Sequence, residues 1–352
     1  MNKKLLKKIL IPIACVVVIA LLTVVIVMQT PSLYVMFLQH TGMVTGKVNS
    51  YEPKGATGVQ QLSDHVELRT NIEYADEYPN SFMDIYLYDP QSGETHPTFF
   101  YLHGGGFAWG DKLEGDPTGV KPNAAGGTSY LQSVCEVGYN VVSINYALIP
   151  EYKYPTPLYQ VDQAIRFLLN NADTYNLDMT HIVFAGGSAG GQLAGQYINV
   201  QTNPAYAEEM GMEQVLTNGE IVGAVLNCAL LEPAGGIAMD TGSYIMDLMY
   251  NDLGKVYFST DPEILEQANI ISHMTEDFPT AYITDGNTGT FFDQAEKLAQ
   301  KLETYGTPYE YNFYPEPELG HGYDGDLTNP YAQDNLAKTL VFLENLHSSI
   351  SG

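Results

Sequence analysis

Ser188 is the residue whose surroundings most clearly favour chemistry. It lies in the pattern Gly-x-Ser-x-Gly, which spans residues 186–190 and is followed by a further glycine. A buried apolar run precedes the pattern and a helical stretch follows it, which is the setting that a nucleophilic serine on a strained turn requires. A phosphate-cradling loop would need a following lysine, and a dinucleotide fingerprint would need a different glycine spacing. The pattern therefore predicts a serine nucleophile.

A second glycine-rich segment, Leu-His-Gly-Gly-Gly-Phe over residues 102–107, directly follows an earlier apolar run. Consecutive glycines let backbone N–H groups point at one oxygen, as an oxyanion hole requires. We predict Gly105 and Gly106 as donors, together with the N–H of Ala189. His103 is expected to hold this loop by hydrogen bonding rather than to act as a base.

The general base is expected late in the chain, after the last strand. His321 lies there between two glycines, in the segment Leu-Gly-His-Gly-Tyr, which would let a loop bring it to Ser188. His273 and His347 are expected at the surface. Serine, a histidine base and oxyanion donors together indicate acyl transfer.

Eight short apolar or alternating runs are expected to form strands that position these residues. The predicted strands cover 65–74, 82–88, 98–102, 140–146, 181–185, 221–226, 280–284 and 309–313. Helical patterns lie between or after them, over 158–170, 189–200, 292–305 and 330–346. A leading antiparallel pair followed by strand–helix alternation predicts an α/β fold with a mostly parallel eight-stranded sheet flanked by helices.

The glycine-rich stretches 111–127 and 231–264 fit that alternation badly. We interpret both as cap insertions over the carboxyl edge of the sheet. Phe107, Trp109 and the tyrosines of 240–258 are candidates for lining a substrate pocket.

These motifs resemble the hormone-sensitive-lipase-like branch of the α/β-hydrolases, which includes bacterial esterases, lipases and acetyl-hydrolases. The resemblance covers residues 65–350. It includes the glycine loop, the Trp-Gly-Asp that follows over 109–111, and the Asn-Tyr and Pro-Glu pairs ahead of the nucleophile at 145–146 and 150–151. It implies an α/β-hydrolase fold, the chain order serine, acid, histidine, and a cap over the pocket.

The acid of the triad is ambiguous. The resemblance implies an aspartate a few residues beyond the seventh strand, and aligning the following helix puts Gly289 at that position. Asp285, closest to the strand end, is our prediction. The alternatives are a histidine-orienting amide, a first-turn helix acid and two acids after the histidine: Asn287, Asp293, Asp324 and Asp326.

The amino terminus has the pattern of a membrane anchor. Four lysines precede a run of twenty uncharged residues from Ile9 to Met28, long enough to cross a bilayer. Lysines on the amino side predict a cytoplasmic start and a catalytic domain outside the cell. A cleaved signal peptide is the rival, but no Ala-x-Ala pattern ends the run. We divide the chain into an anchor at 1–28, a connector at 29–64 and a catalytic domain at 65–352.

Composition limits the partners. The formal charge is −26, so the chain repels nucleic acid. Three cysteines with no zinc-type spacing, and no helical histidine pair, give no reason to expect a metal or cofactor.

The sequence therefore predicts an anchored serine hydrolase of short or medium acyl or acetyl esters, the substrate being a small molecule or part of the cell envelope. The alternatives are a peptidase or amidase of the same fold and a catalytically impaired surface binding protein.

Overall fold

The protein forms one sheet covered by helices on both faces. The structure is a computed structural model, which describes residues 3–43, 48–51, 58–112, 129–217 and 219–350. Within these residues the sheet has nine strands: β1 Gly58–Gln61, β2 Val66–Glu73, β3 Phe82–Tyr88, β4 His96–Leu102, β5 Asn140–Ile144, β6 Leu177–Gly187, β7 Ile221–Asn227, β8 Thr280–Asp285 and β9 Tyr309–Phe313.

The strand order across the sheet is β1-β2-β3-β5-β4-β6-β7-β8-β9. The first three pairings are antiparallel, and every pairing from β5–β4 onward is parallel. This confirms the predicted fold, and all eight predicted strands are present. The one strand that was not predicted is β1, at the edge of the sheet. Its only large apolar residue, Val59, points into solvent, so the segment shows no alternation of apolar and polar residues.

Twelve α-helices occur in the described residues. They are α1 Lys3–Gln29, α2 Pro31–Leu38, α3 Tyr130–Glu136, α4 Thr156–Tyr175, α5 Ala189–Thr202, α6 Pro204–Met210, α7 Pro233–Ile237, α8 Tyr244–Phe258, α9 Pro262–Gln267, α10 Ile270–His273, α11 Phe292–Tyr305 and α12 Pro330–Ile350. The four helices expected from periodicity are α4, α5, α11 and α12.

Two apolar cores hold the layers together. The larger packs α4, α5, α8 and α11 against one face of the sheet, with fully buried residues such as Leu193 and Leu298. The smaller packs α3 and α12 against the opposite face, through Val134 and Leu343. Burying apolar side chains on both faces explains why the central strands read as continuous apolar runs.

The two predicted cap insertions differ in what the structure describes. The stretch 231–264 contains α7, α8 and the start of α9. The stretch 111–127 lies outside the described residues except for Asp111 and Lys112. Lys112 is fully buried, and its Nζ lies 2.6 Å from a carboxylate oxygen of Asp84, which is buried too. Because a buried charge is stable only with a partner, this ion pair fixes the chain where it leaves the glycine loop.

The amino-terminal helix α1 contains a 20-residue segment, Leu10–Gln29, with a mean hydropathy of 3.2 and none of its residues buried. Its length and composition are compatible with a signal anchor or a signal peptide. The predicted connector is partly structured, since α2, a π-helical turn over Gln39–Met43 and β1 all lie within it. Tyr34 and Val35 of α2 are buried, and Val35 belongs to the larger apolar core.

Candidate active site

Ser188 occupies a strained turn between β6 and α5. Its backbone has φ 55° and ψ −116°, an arrangement that a residue with a side chain rarely adopts. Strain of this kind persists only where the surrounding structure enforces it, and it is typical of functional positions. Here the Ser188 N–H donates to the carbonyl of Asn227 on β7 at 2.9 Å, which ties the turn to the neighbouring strand.

Two glycines of the Gly-x-Ser-x-Gly pattern are required by close packing. A Cβ atom on Gly186 would lie 2.3 Å from the carbonyl carbon of Gly190. A Cβ atom on Gly190 would lie 2.0 Å from the carbonyl oxygen of Leu102, at the end of β4. The turn can therefore pass this close to the strand that carries the glycine loop only without side chains at these positions.

His321 lies beside the serine. Its Nε2 is 2.8 Å from the Oγ of Ser188. The loop that carries His321 is held by Asn287, whose amide donates to the carbonyls of Tyr314 and Pro317 and whose Oδ1 accepts from the Leu319 N–H. Asn287 therefore shapes the histidine loop and does not orient the imidazole directly.

Thr290 stands between His321 and Asp285. The Nδ1 of His321 is 3.0 Å from the Thr290 hydroxyl, and this hydroxyl forms a short hydrogen bond to Oδ1 of Asp285. The same carboxylate oxygen accepts from the Gly286 N–H at 2.7 Å. Asp285 thus reaches the histidine through a threonine hydroxyl, an intermediary that the sequence gave no reason to expect.

Burial shifts the pKa values of both Asp285 and His321. Desolvation raises the pKa of Asp285 to about 7, although hydrogen bonds from Thr290 and Gly286 act in the opposite direction. Desolvation also lowers the pKa of His321 to about 4, so the imidazole is neutral near pH 7. A neutral imidazole is the form that can accept a proton from a serine.

The remaining acid candidates lie elsewhere. Asp293 is in the first turn of α11 with a largely exposed side chain, and Asp326 caps an exposed turn at Thr328. Asp324 lines the cavity next to the serine, where its Oδ1 is 3.5 Å from the Sγ of Cys228, and burial raises its pKa. No hydrogen bond or ion pair joins Asp324 to His321 in the described part of the chain.

The glycine loop lies against the serine. A Cβ atom on Gly104 would be 3.5 Å from the Cβ of Ser188. Gly105 and Gly106 both have positive φ, at 101° and 59°. Their N–H groups donate to no protein acceptor within the described residues, and Ala189 stands at the first position of α5, where an N–H has no partner in the helix. All three predicted donors line the same cavity as Ser188.

His103 lies within the glycine loop and contacts its backbone. Its side chain is buried, its Nδ1 is 2.8 Å from the carbonyl oxygen of Gly104, and its ring stacks on Tyr146 at 4.2 Å between centroids. The Tyr146 hydroxyl donates to the His103 carbonyl at 2.6 Å. These contacts keep the imidazole within the loop that it supports.

A cavity of about 560 Å³ opens at the serine. Phe107 and Trp109, both predicted to line a pocket, are on its wall, and Phe107 stacks on Tyr257 at 3.5 Å between ring centroids. Helix α8 supplies four further wall residues. One is Tyr250, among the tyrosines of 240–258 named as pocket candidates, and the other three had no local motif to identify them: Met249, Leu253 and Gly254. The walls are mainly apolar, which suits an acyl chain or another apolar group.

Cys228, Asp285 and His321 offer donor atoms that lie within 4.8 Å of one another, a spacing that could hold a metal ion. Two of these three groups already share a hydrogen-bond partner, since the Thr290 hydroxyl is hydrogen-bonded to both His321 and Asp285. Burial raises the pKa of the Cys228 thiol well above its usual range, which disfavours the thiolate that a metal prefers.

Comparison with known proteins identifies relatives. The family model described as BD-FAE matches residues 83–302, more than half of the chain. An acetyl esterase of Salmonella typhi is 26% identical over 237 residues, covering 65% of this chain and 66% of its own. The chain spans about two thirds of the length of such relatives.

Solved structures share the fold. Esterase B from Lactobacillus rhamnosis has a TM-score of 0.67 at 20% identity, covering 82% of this chain and 89% of its own. An esterase from the bacterial hormone-sensitive lipase family has a TM-score of 0.57 at 17% identity, covering 82% and 87%. The chain therefore belongs to the BD-FAE family, and its fold is that of the α/β-hydrolase esterases, as the resemblance predicted.

Proposed function

We propose that this protein is a serine carboxylic-ester hydrolase that uses Ser188 as nucleophile and His321 as general base. The observation that carries the proposal is the 2.8 Å contact between the Ser188 Oγ and the His321 Nε2, at a strained turn that opens into an apolar cavity. Nucleophile and base within hydrogen-bond reach are the signature of covalent acyl transfer.

Asp285 is the proposed acid, acting through Thr290. An ionised Asp285 accepts from the Thr290 hydroxyl, whose oxygen then accepts from Nδ1–H of His321. This places the imidazole proton on Nδ1 and leaves Nε2 free to accept from Ser188, the tautomer that catalysis requires. The positive charge that forms on His321 is stabilised along the same hydrogen bonds.

The reaction then proceeds in two steps. His321 takes the Ser188 proton as the Oγ attacks the ester carbonyl, and the N–H groups of Gly105, Gly106 and Ala189 hold the resulting oxyanion. His321 returns the proton to the leaving alcohol, which gives an acyl-serine. A water molecule, deprotonated by His321, attacks the acyl carbonyl and releases the acid and the free serine.

Esters with short or medium acyl groups, including acetyl esters, are the proposed substrates. The cavity volume of about 560 Å³ suits a group of this size, with Phe107 and Trp109 on its wall. The acetyl esterase among the relatives supports the same substrate class. The apolar amino-terminal helix supports anchoring in a membrane, with the catalytic domain outside the cell.

The test uses the full chain in detergent micelles and p-nitrophenyl esters of increasing acyl length, with Ser188→Ala as control. We expect hydrolysis and covalent labelling by a fluorophosphonate probe in the wild type and neither in the variant. A folded wild type that hydrolyses no ester and takes no label would refute the esterase. The indirect contact between Asp285 and His321 would then favour the impaired binding protein, while cleavage of the matching anilides instead of esters would favour an amidase.

A further inference from the structure

Exposed apolar side chains of α2 and the amino end of α8 form a surface that we call the interfacial patch. Its members are all exposed and uncharged: Leu33, Met36, Phe37, Tyr244, Ile245 and Met246. The two helices pack together, and the Tyr34 hydroxyl lies close enough to Tyr244 and Asp252 for their charges to raise its pKa, although burial contributes most. Large apolar side chains gathered in one place on a surface indicate a contact with a partner or a membrane.

The position of α2 in the chain identifies that partner. Only Thr30 separates the end of α1 at Gln29 from the start of α2 at Pro31, and α1 carries the 20-residue apolar segment. Eight helical residues extend roughly 12 Å, so no part of α2 can lie far from the end of the membrane-spanning segment. Residues 29–39 contain no charged side chain that would oppose contact with lipid.

Helix α2 is fixed to the catalytic domain. Val35 is fully buried, and Gln39, buried just after the helix, donates from its Nε2 to the carbonyls of Ala108 and Ile149 at 2.8 Å each. Ala108 follows directly on Phe107, which lines the cavity. The anchor therefore continues into an element that is bonded to the glycine loop, and this attachment determines which side of the domain faces the bilayer.

Helix α8 connects the interfacial patch with the serine. Residues four apart lie on the same face of a helix, so Ile245, Met249 and Leu253 form one apolar row. Ile245 is 65% exposed at the start of this row, whereas Met249 and Leu253 line the cavity that contains Ser188. A lipophilic molecule that follows this row would meet an apolar side chain at the surface and two more on the wall of the cavity.

We propose that the interfacial patch lies in the surface of the bilayer that holds α1, and that lipophilic esters dissolved in this bilayer reach Ser188 along α8. The proposal rests on the proposed esterase function and on an uncleaved anchor. Contact through apolar side chains fits the charge of the protein, since a formal charge of −26 opposes attraction to anionic headgroups.

The first experiment measures the docking itself. The full chain is reconstituted in phosphatidylcholine vesicles with and without brominated acyl chains, which quench tryptophan fluorescence on contact. Trp109 is the only natural tryptophan, so the signal added by Ile245→Trp is read as a difference from the wild type. Val341→Trp is the matched control, because Val341 is 52% exposed on α12, on the opposite face of the sheet.

We expect the fluorescence added by Ile245→Trp to be quenched by brominated lipid and that added by Val341→Trp to be unaffected. Equal quenching at the two positions would overturn the docking. If quenching at Ile245→Trp disappears as the protein concentration is raised, the interfacial patch binds a second copy of the chain. That result would also overturn the docking.

The second experiment measures delivery of substrate. The double variant Phe37→Ser/Ile245→Ser is compared with Val341→Ser in the same vesicles, using soluble p-nitrophenyl acetate and vesicle-dissolved p-nitrophenyl palmitate. We expect the double variant to lose on the order of tenfold with the palmitate and to keep full rate with the acetate, because only the former depends on apolar contact with lipid. Equal palmitate rates in both variants would overturn the delivery. If wild type hydrolyses neither ester, the proposed function fails, and the quenching result still decides the docking.

Discussion

Replacing Thr290 with valine is the sharpest test of the proposed mechanism. Valine keeps the shape of threonine and removes the one hydroxyl that contacts both His321 and Asp285. The partly buried His321 then has no protein acceptor among the described residues for its Nδ1–H when it becomes positively charged during attack. Ser188 and the glycine loop are not altered, so binding of the ester is expected to stay the same.

The expected size of the effect follows from the contacts that are lost. A hydrogen bond to a charged group contributes about 1.5–3 kcal/mol, and each 1.36 kcal/mol changes a rate about tenfold. Losing the bond to the imidazolium therefore costs about 10- to 150-fold, and the broken link to Asp285 brings the expected loss in kcat to about 10²-fold. Removing the acid of a triad altogether costs about 10⁴-fold, which is the upper limit.

The assay is hydrolysis of p-nitrophenyl acetate by Thr290→Val, Thr290→Ser and Thr288→Val, with thermal unfolding of each. Thr290→Ser keeps the hydroxyl and is expected to stay within a few-fold of the wild-type kcat. Thr288→Val is the matched control, since the Thr288 hydroxyl bonds only to Asn287 among the described residues. The reasoning is refuted if Thr290→Val keeps the wild-type kcat, or if Thr290→Ser is as impaired as the valine variant at equal stability.

Two further predictions concern pH and packing. Below its pKa of about 7, Asp285 is neutral and donates a hydrogen bond to the Thr290 hydroxyl. The Thr290 hydroxyl then donates to Nδ1 of His321, so the imidazole proton moves to Nε2 and Ser188 loses its acceptor. We therefore expect kcat/KM, measured in a pH-stat assay, to rise as the pH increases through about 7. Asp285→Asn should remove this dependence, and a wild-type midpoint at the lower pKa of His321, about 4, would contradict the proposal. Gly190→Ala should lower the free energy of unfolding by about 3 kcal/mol or more, because its Cβ would meet the Leu102 carbonyl. Gly325→Ala, with open space around it, should change it by less than about 0.5 kcal/mol in urea unfolding, and equal effects would count against the close-packed turn.

Much of the fold was predictable because the central strands are buried on both faces. Residues such as Val183 and Phe184 must be apolar in that setting, so the central part of β6, residues 182–185, appears as an uninterrupted apolar run. Helix α8 was not predicted, because its apolar side chains face the solvent, the cavity and the core in turn and are not confined to one stripe. Its role depends on what packs around it, which local periodicity does not record.

The serine and histidine were predictable for a different reason. The steric demands of the turn fix glycines on both sides of Ser188, and those glycines remain visible as a motif. Thr290 has no such requirement, since a threonine after a strand is common and nothing nearby marks it. It becomes significant only because Asn287 folds the loop so that His321, Thr290 and Asp285 meet.

Gly289 allows the last prediction, since the resemblance puts the family's acid at this position. In the structure Gly289 has φ +59°, and a Cβ atom there would lie 3.4 Å from the Cβ of Thr241. An aspartate would thus point toward Thr241, whose hydroxyl already bonds to the carboxylate of Asp247. Adding Gly289→Asp to Asp285→Asn should therefore restore less than about threefold in kcat/KM for p-nitrophenyl acetate, well short of the roughly 10⁴-fold that a correctly placed acid supplies. Recovery of tenfold or more would mean that the loop can present an acid to His321 from the position that the resemblance implies, and that the contact through Thr290 is dispensable.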